Sequence, residues 1–455
     1  MQNLLYNLDT VFGRIYRFFY SIFDGVSKPT RHTLSLFVIS MIVMEGVDSV
    51  RNVFRGFMCG ITSKSLNAVY YALSYAKVDY YRFANILAGI ALSIIPGDLY
   101  SLPVFLCVDD TMVAKFGTKF DDVSVLFDHS AHNGSNFLNG HCFVTVSLCV
   151  PVWNREKKIS YLSVPLGCRT WVKEGLAVPV SKLELSEQII RRVMPCLLNK
   201  RNVIILCDSW YAKGSLFALT KDFDNLDLIC NVRADTVLYG SVPPRTGKRG
   251  RPRVHGDRIS LDDFALTEER VGDFHVGHKK VMTNLLKGAV IDAFVTPTHK
   301  EGGSRRLFLS TLSATDIEMF CAWYEKPPIN QTGSGWFRYL PLMFYSVRWQ
   351  GTEVGYYEQK TFWSFRKYML RGHFGIERLL NLIIIAYSGV KLLPYVDSGF
   401  EEHKCESPQE TRSFFARKIR EQVFIAGFGE SLEVNIKSYI QNMWLNLNIL
   451  GKKVA

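Results

Sequence analysis

Up to about Gly97 the apolar residues recur at mixed three- and four-residue spacings, the period of helices that bury a face. "TLSLFVISMIVMEGVDSVRNVF" and "SLNAVYYALSYAKVDYYRFANILAGIALSII" carry this pattern, and "PGD" ends it. "SKSLNAVYYALS" has the size of a small helix-turn-helix unit, although packing alone accounts for the same spacing. From Ser101 the texture changes to strands: "LPVFLCVDD", "GHCFVTVSLCVPVW" and "KKISYLSVPLGCRTW". An amphipathic helix follows in "SKLELSEQIIRRVMPCLLNK", with Leu183, Leu185, Ile189, Ile190, Val193 and Leu197 on its apolar positions. Then come the strands "NVIILCDSWY" and "LDLICNVRADTVLY". Three strands able to meander, a helix, and an apolar strand ending in an acid fit a ribonuclease-H-like α/β core.

The pattern then breaks. "SVPPRTGKRGRPRVHGDR" is rich in Pro, Gly and Arg and reads as an exposed loop. Short strand-like runs, "GAVIDAFVTP" and "RRLFLSTLS", come after it. Beyond "PLMFYSVRW" the chain reads as helical to its end. The expected fold class is α/β: a ribonuclease-H-like mixed-sheet core with a β-rich insertion, flanked by helical N- and C-terminal regions. The expected boundaries are a helical region with a DNA-binding candidate at 1–98, the first part of the core at 99–239, and the insertion with its basic loop at 240–335. The second part of the core, carrying a Glu, spans 336–376, and a helical C-terminal region spans 377–455.

Acids supply the candidate chemistry. Asp109 and Asp110 follow the apolar run "VFLCV", and Asp208 follows "VIILC". If the two strands are neighbours, carboxylates meet at one sheet edge, and like charges placed together call for a cation. Oxygen donors suit magnesium or manganese. Two such ions, about 3.5–4 Å apart, form a clamp for attack on a phosphodiester. The third acid is sought in "YSVRWQGTEVGYYEQK", where Tyr345, Arg348, Glu353 and Lys360 share one stretch. The bland alternatives stay open here: Asp after a strand is a common turn former, and a Glu near an Arg is commonly a surface pair worth little.

Composition narrows the partner. The 455 residues carry a formal net charge of +12 with 48% hydrophobic residues, so the chain buries a large core and favours a polyanion such as nucleic acid. Its ten cysteines form no CxxC pair and several lie inside apolar strands, as small core residues of a reducing compartment do. No basic stretch followed by a clean apolar core opens the chain, and the longest apolar runs are short or interrupted. The expectation is a soluble cytoplasmic protein with no membrane partner.

At "VDDTMVAKFGTKFDD", "LFDHSAHNGSNFLNGHCFV", "LCDSWYAKG", "TGKRGRPR" and "RWQGTEVGYYEQKTFWSFRKYMLR" the chain resembles bacterial insertion-sequence transposases of the DDE superfamily, from the branch with a Tyr-Arg-Glu-Lys signature. The likeness runs from about Val104 to Tyr395. It implies a ribonuclease-H-like core that binds element ends as double-stranded DNA, cuts them with divalent metal and joins them to target DNA. It further implies two Mg2+ (or Mn2+) ions, a homodimer or higher oligomer on DNA, and a place at the bacterial nucleoid. By position, Asp109 takes the first catalytic and metal-binding place, since Asp109-Asp110-Thr111 matches the family's Asp-x-Thr, with Asp110 as fallback. Asp208 takes the second and Glu353 the third, with Glu358 behind it. Tyr345, Arg348 and Lys360 fill the remaining signature places, where Arg and Lys would hold phosphate.

One departure stands out. The family commonly has three residues between the Arg and the Glu, as in Arg-Trp-x-Ile-Glu, and this chain has four: Trp349, Gln350, Gly351 and Thr352. In a continuous α-helix one extra residue turns Arg348 by about 100° relative to Glu353. Thr352 capping a helix that begins at Glu353, with Arg348 on a loop before it, is one escape. A damaged, poorly active copy that still binds DNA is the other. A ribonuclease-H-like nuclease without strand transfer is the third function considered.

Three constellations remain. Asp128, His129, His132 and His141 invite a zinc reading, but no matching ligand pair follows and the resemblance assigns no metal there. Lys248, Arg249, Arg251 and Arg253 surround a Gly-Arg-Pro-Arg core suited to an A·T-rich minor groove. Lys360, Arg366, Lys367 and Arg371 are interleaved with aromatics; half of that pattern is simply helix core, and the basic half suits a DNA backbone.

Overall fold

The computed structural model describes residues 5–44, 46, 49–117, 119–128, 136–173, 180–199, 202–244, 252–271, 273–299, 302–323, 336–427 and 444. The chain divides into two compact units, one of residues 1–78, 362–370 and 389–455, the other of 79–361 and 371–388.

The smaller unit is helical. Helices α1 (Val11–Ile22), α2 (Lys28–Val43), α3 (Val50–Gly56) and α4 (Leu66–Ser74) open the chain. The side chains of Thr10, Ser49 and Ser65 each accept a hydrogen bond from the first turn of α1, α3 and α4. α1 buries Phe12, Ile15, Phe19 and Ile22 on one face, whereas α2 is buried all round from Thr33 to Val43. The helix α5 (Tyr80–Ser93) belongs to the larger unit and packs on strand β4 (Ile159–Trp171), so the helical N-terminal stretch is shared between the units.

In the larger unit the other strands are β1 (Val104–Ala114), β2 (Ser124–Phe127), β3 (Phe137–Trp153), β5 (Val203–Cys207), β6 (Leu226–Val232), β7 (Leu238–Tyr239), β8 (Arg258–Ile259), β9 (Gly277–Thr283), β10 (Val290–His299) and β11 (Gly302–Ser310). They form one mixed sheet in the order β2-β3-β1-β5-β6-β11-β10-β9-β7-β8, with β4 also on β3. The β4-β3-β1 meander is antiparallel, and β1, β5 and β6 run parallel. α6 (Lys182–Leu197) links β4 to β5, and α7 (Gly214–Asp222) links β5 to β6. This is the ribonuclease-H-like α/β core. The strands between residues 238 and 310 extend that sheet: β11 pairs antiparallel with β6, Leu307 opposite Val232.

Successive side chains on a strand face opposite sides, and β1 divides accordingly. Phe105 and Cys107 join Cys149, Ile204, Leu206 and Ile229 in a core covered by α8 (Ala314–Cys321) and α9 (Leu340–Trp349) through Phe320 and Phe344. The ring centroids of Phe105 and Phe344 are 5.2 Å apart. α6 packs on β1, β3 and β4. Its start is set by a capping box in which the Ser181 side chain accepts from the N–H of Glu184 and the Glu184 carboxylate accepts from that of Ser181.

The helix α11 (His373–Val396) is long and apolar enough to cross a membrane, yet 83% of its apolar window is buried inside the protein. Its Asn381 side chain bonds both the N–H and the carbonyl of Cys168 at 3.0 Å, beside the bulge between β3 and β4. It therefore reads as a core helix. All ten cysteines are free; Cys107, Cys142, Cys149, Cys168, Cys207 and Cys230 are buried.

Candidate active site

Residues Val104–Val108 of β1 pair in parallel with Val203–Cys207, so Asp109 and Asp208 are the next residues of neighbouring strands. Asp208 leaves the sheet at once. Its Oδ1 accepts the backbone N–H groups of Trp210 (3.0 Å) and Tyr211 (3.3 Å), the self-capping turn that Asp favours. Asp109 and Asp110 do not end their strand. β1 runs on to Ala114, with Asp109 opposite Thr145 and Asp110 opposite Val144, because each carboxylate finds a partner within the fold.

Those partners lie on opposite faces. Asp110 Oδ2 accepts from Lys182 Nζ at 2.8 Å and from Cys142 Sγ at 3.1 Å, and its Oδ1 accepts from the Tyr211 hydroxyl at 2.9 Å. Asp109 Oδ2 lies 2.5 Å from Arg348 Nη2, with each side chain 13% exposed. The fallback acid is thus committed to a structural network, and Asp109 shares its side of the sheet with Asp208 and Arg348. Burial pushes the Asp109 carboxyl up to about 7; Arg348 opposes the shift, and the charges of Asp208 and Asp110 add to it.

Arg348 closes α9, and no loop separates it from Glu353. Residues Gln350–Val354 form a π-helical turn that runs straight into α10 (Gly355–Phe362). A π-turn absorbs one extra residue within a helix. The insertion is taken up there, and Glu353 stays within electrostatic reach of Arg348. Thr352 is no cap: it is buried, and its Oγ1 donates to the Arg348 carbonyl at 2.9 Å. Gly351 lets the turn touch the sheet, since a Cβ there would stand 2.7 Å from Cys107 Cβ and 3.2 Å from Cys149 Sγ. Burial works against the Arg348 charge, but Asp109, then Tyr345, Asp208 and Glu353 outweigh it and hold the guanidinium protonated.

Tyr345 lies edge-on to Phe308 with centroids 5.1 Å apart, and burial pushes its phenol up. Lys360 is half-buried in α10, and Glu353 is exposed. Glu358 accepts a hydrogen bond from the Tyr387 hydroxyl, which directs it to α11 and away from Asp109. Tyr356, which sequence reasoning passed over, hydrogen-bonds Thr145, the residue opposite Asp109. The adjacent tyrosines of "GYYEQ" were its one signal.

Lys248, Arg249 and Arg251 lie outside the described residues, as do His129 and His132. Arg253 is exposed and pairs with Asp257 at 3.0 Å. His141 is buried against the Asp121 carbonyl at 2.7 Å.

Whether these residues suit a divalent ion turns on the donors. Asp109 and Asp208 offer hard carboxylate oxygens, and the burial and repulsion that raise Asp109 are relieved by a cation. They fit. Among the described residues, however, no three His, Cys, Asp or Glu side chains stand together in a form that could hold a metal ion. Asp109 and Asp208 are brought side by side; Glu353 is linked to them through Arg348.

Sheet order, with an acid directly after the parallel-paired stretch of each of β1 and β5, defines a ribonuclease-H-like core. The family profile described as DDE superfamily endonuclease matches residues 21–273, and the chain belongs to that family. That match spans Asp109 and Asp208 and ends before Arg348 and Glu353. The protein is therefore an endonuclease of the DDE superfamily. No curated protein sequence matches the chain. Among solved structures, a piggyBac transposase synaptic complex with hairpin DNA aligns over 97% of this chain and 84% of its own, at 11% identity and a TM-score of 0.42. That likeness is too distant to bear on activity.

Proposed function

We propose that this protein is a DNA transposase of an insertion sequence, cutting the element's ends and joining them to double-stranded target DNA. The observation that carries the reading is the pairing of Asp109 and Asp208 on adjacent parallel strands, with Arg348 against them. Asp109, Asp208 and Glu353 form the acid set, and with Mg2+ or Mn2+ bound they supply activation of the attacking oxygen and stabilisation of the leaving one. Arg348 and Lys360 hold phosphate oxygens, and Tyr345 backs the guanidinium. Lys248, Arg249, Arg251 and Arg253 supply positive charge for DNA contact. The net charge of +12 suits that partner, and bridging two DNA ends calls for a dimer or higher oligomer.

The π-turn weakens the alternative of an impaired DNA-binding relative, since the extra residue no longer separates Arg348 from Glu353. The test compares the parent chain with Asp208→Ala in nicking supercoiled DNA with Mg2+ or Mn2+, followed by strand transfer of pre-cut ends. Loss of nicking in the variant is expected. Equal nicking by both removes the catalytic assignment, and nicking without strand transfer leaves a plain nuclease.

A further inference from the structure

Asp109 uses its two oxygens differently. Oδ1 accepts the N–H of Asp110 at 2.8 Å, while Oδ2 meets Arg348 Nη2 at 2.5 Å. Oδ2 is therefore the oxygen that faces a cation. A guanidinium commonly grips a carboxylate with two parallel N–H groups. Here the grip is one-pronged, and Arg348 Nε is buried with no acceptor among the described residues. An unmade bond of a buried charged donor is expensive, so the pair is held in an arrangement that another acceptor would improve. The backbone around Arg348 is anchored by Thr352 and by Gly351 against Cys107, which leaves the side chain as the part free to change partners. Asp208 and Glu353 also act on this one guanidinium.

We infer that Arg348 is a built-in counter-ion that competes with a divalent cation for Asp109 Oδ2, so that metal entry displaces the guanidinium and releases its donors toward a phosphate oxygen. This rests on the reading of Asp109 as a metal ligand. Arg348 then sets the affinity of the site, and metal loading is coupled to DNA engagement. A fixed positive charge a few ångströms from a divalent ion, in a partly buried site, weakens its binding by about tenfold or more.

The experiment is a calorimetric titration of Mn2+ into the full chain without DNA, for the parent, Arg348→Gln, Arg348→Lys and Asp109→Asn. Thermal melts with and without Mn2+ run alongside. Arg348→Gln is expected to bind Mn2+ about tenfold more tightly than the parent and to gain a larger upward melting shift. Arg348→Lys, whose shorter side chain withdraws the charge, is expected to fall between them, and it decides the matter if the Gln variant does not fold. Asp109→Asn is expected to abolish binding. If both Arg348 variants bind no more tightly than the parent while Asp109→Asn still abolishes binding, the inference is overturned and the metal site stands. If Mn2+ binding is absent throughout or indifferent to Asp109→Asn, the metal site falls and the inference with it.

Discussion

Lys182 Nζ stands 2.8 Å from Asp110 Oδ2, and the ammonium also lies over the rings of Trp171 (5.0 Å) and Trp210 (5.1 Å). With the Tyr211 hydroxyl on the same carboxylate, this pair ties the first turn of α6 and the turn after Asp208 to β1. It positions Asp208 beside Asp109 from the opposite face of the sheet. Both side chains are nearly buried, at 10% and 13% exposure. Removing one partner of such a pair costs about 3–5 kcal/mol, because a charge is left uncompensated. Lys182→Met and Asp110→Ala are each expected to lose that much in denaturant unfolding, and the double variant Lys182→Met/Asp110→Leu to recover a large part. A double variant whose loss equals the sum of the two single losses would show that the pair is not coupled.

The sequence made much of this core legible. The apolar strands, the Ser-x-x-Glu start of α6 and the acid after "VIILC" are local signals, and local signals survive folding. What stayed hidden depends on distant partners. "VFLCVDD" looks like a strand that stops because the Lys182 that answers Asp110 is 72 residues away. The strands of residues 238–310 read as an insertion, and it is the antiparallel pairing of β11 with β6, from Leu307 opposite Val232 to Ser310 opposite Ile229, that joins them to the core sheet. The extra residue after Arg348 reads as a break on α-helical spacing; a π-turn changes the count without breaking the helix.

Gly351 tests that turn directly. Gly351→Ala forces a methyl group against Cys107 and Cys149, an overpacking that costs about 1–3 kcal/mol. Pushing the turn off the sheet also moves Arg348 relative to Asp109. The variant is expected to melt lower and to nick DNA more slowly than its loss of folded protein explains. Full activity in the folded fraction would mean that the turn's contact with β1 does not govern the site.

A pH-dependent contact ties the turn at Asp121 and Asp122 to the start of α11. His373 Nδ1 lies 2.5 Å from Asp122 Oδ2, the His373 N–H donates to Asp121 Oδ2 at 3.1 Å, and the Asp121 N–H donates to the Arg371 carbonyl at 2.9 Å. The hydrogen bond to Asp122 raises the His373 pKa; burial opposes it, the charges of Asp122 and Glu377 add to it, and Arg169 opposes it. A raised histidine stabilises the fold fully below its unfolded value, about 6.5, and loses that contribution as pH rises through the folded value. The melting difference between the parent and His373→Gln is therefore expected to be larger at pH 6 than at pH 9. A difference independent of pH would assign the contact to packing alone.

Asp227 has the opposite sign. Burial raises its carboxyl to about 6; the Thr311 hydroxyl, donating at 2.8 Å, opposes the shift, and Asp316 adds to it. The folded state then holds a proton that the unfolded state has released, so stability falls as pH rises from the unfolded value, about 3.9, through the folded one. Asp227→Asn keeps the acceptor for Thr311 and removes the charge. It is expected to be stabilising by up to about 2–3 kcal/mol above pH 7 and nearly neutral at pH 4. Equal effects at both pH values would remove the titration from the explanation.

In the smaller unit, the buried Arg412 answers the carbonyls that α2 leaves open at its C-terminal end. Its Nε donates to Ile42 O at 3.1 Å, Nη2 to Met41 O at 2.8 Å and also to Met44 O, and Nη1 to Phe362 O at 2.6 Å. The guanidinium stacks over Trp363, 4.5 Å from the ring centre. Arg420 serves the carbonyl between them, Val43 O, at 2.5 Å. A cation at a helix C-terminus is favoured by the helix dipole as well as by its hydrogen bonds. Lysine supplies the charge without the planar fork, so it cannot serve four carbonyls and an aromatic face together. Arg412→Lys is therefore expected to lose about 2–3 kcal/mol in denaturant unfolding and Arg412→Ala about 3–5 kcal/mol. Because a guanidinium bridging residues 41–44 to 362 draws together segments more than 300 positions apart, amide exchange in α2 is expected to speed up in both variants. Unchanged protection of α2 in Arg412→Ala would assign its stability to the apolar packing of Leu34–Val43 alone.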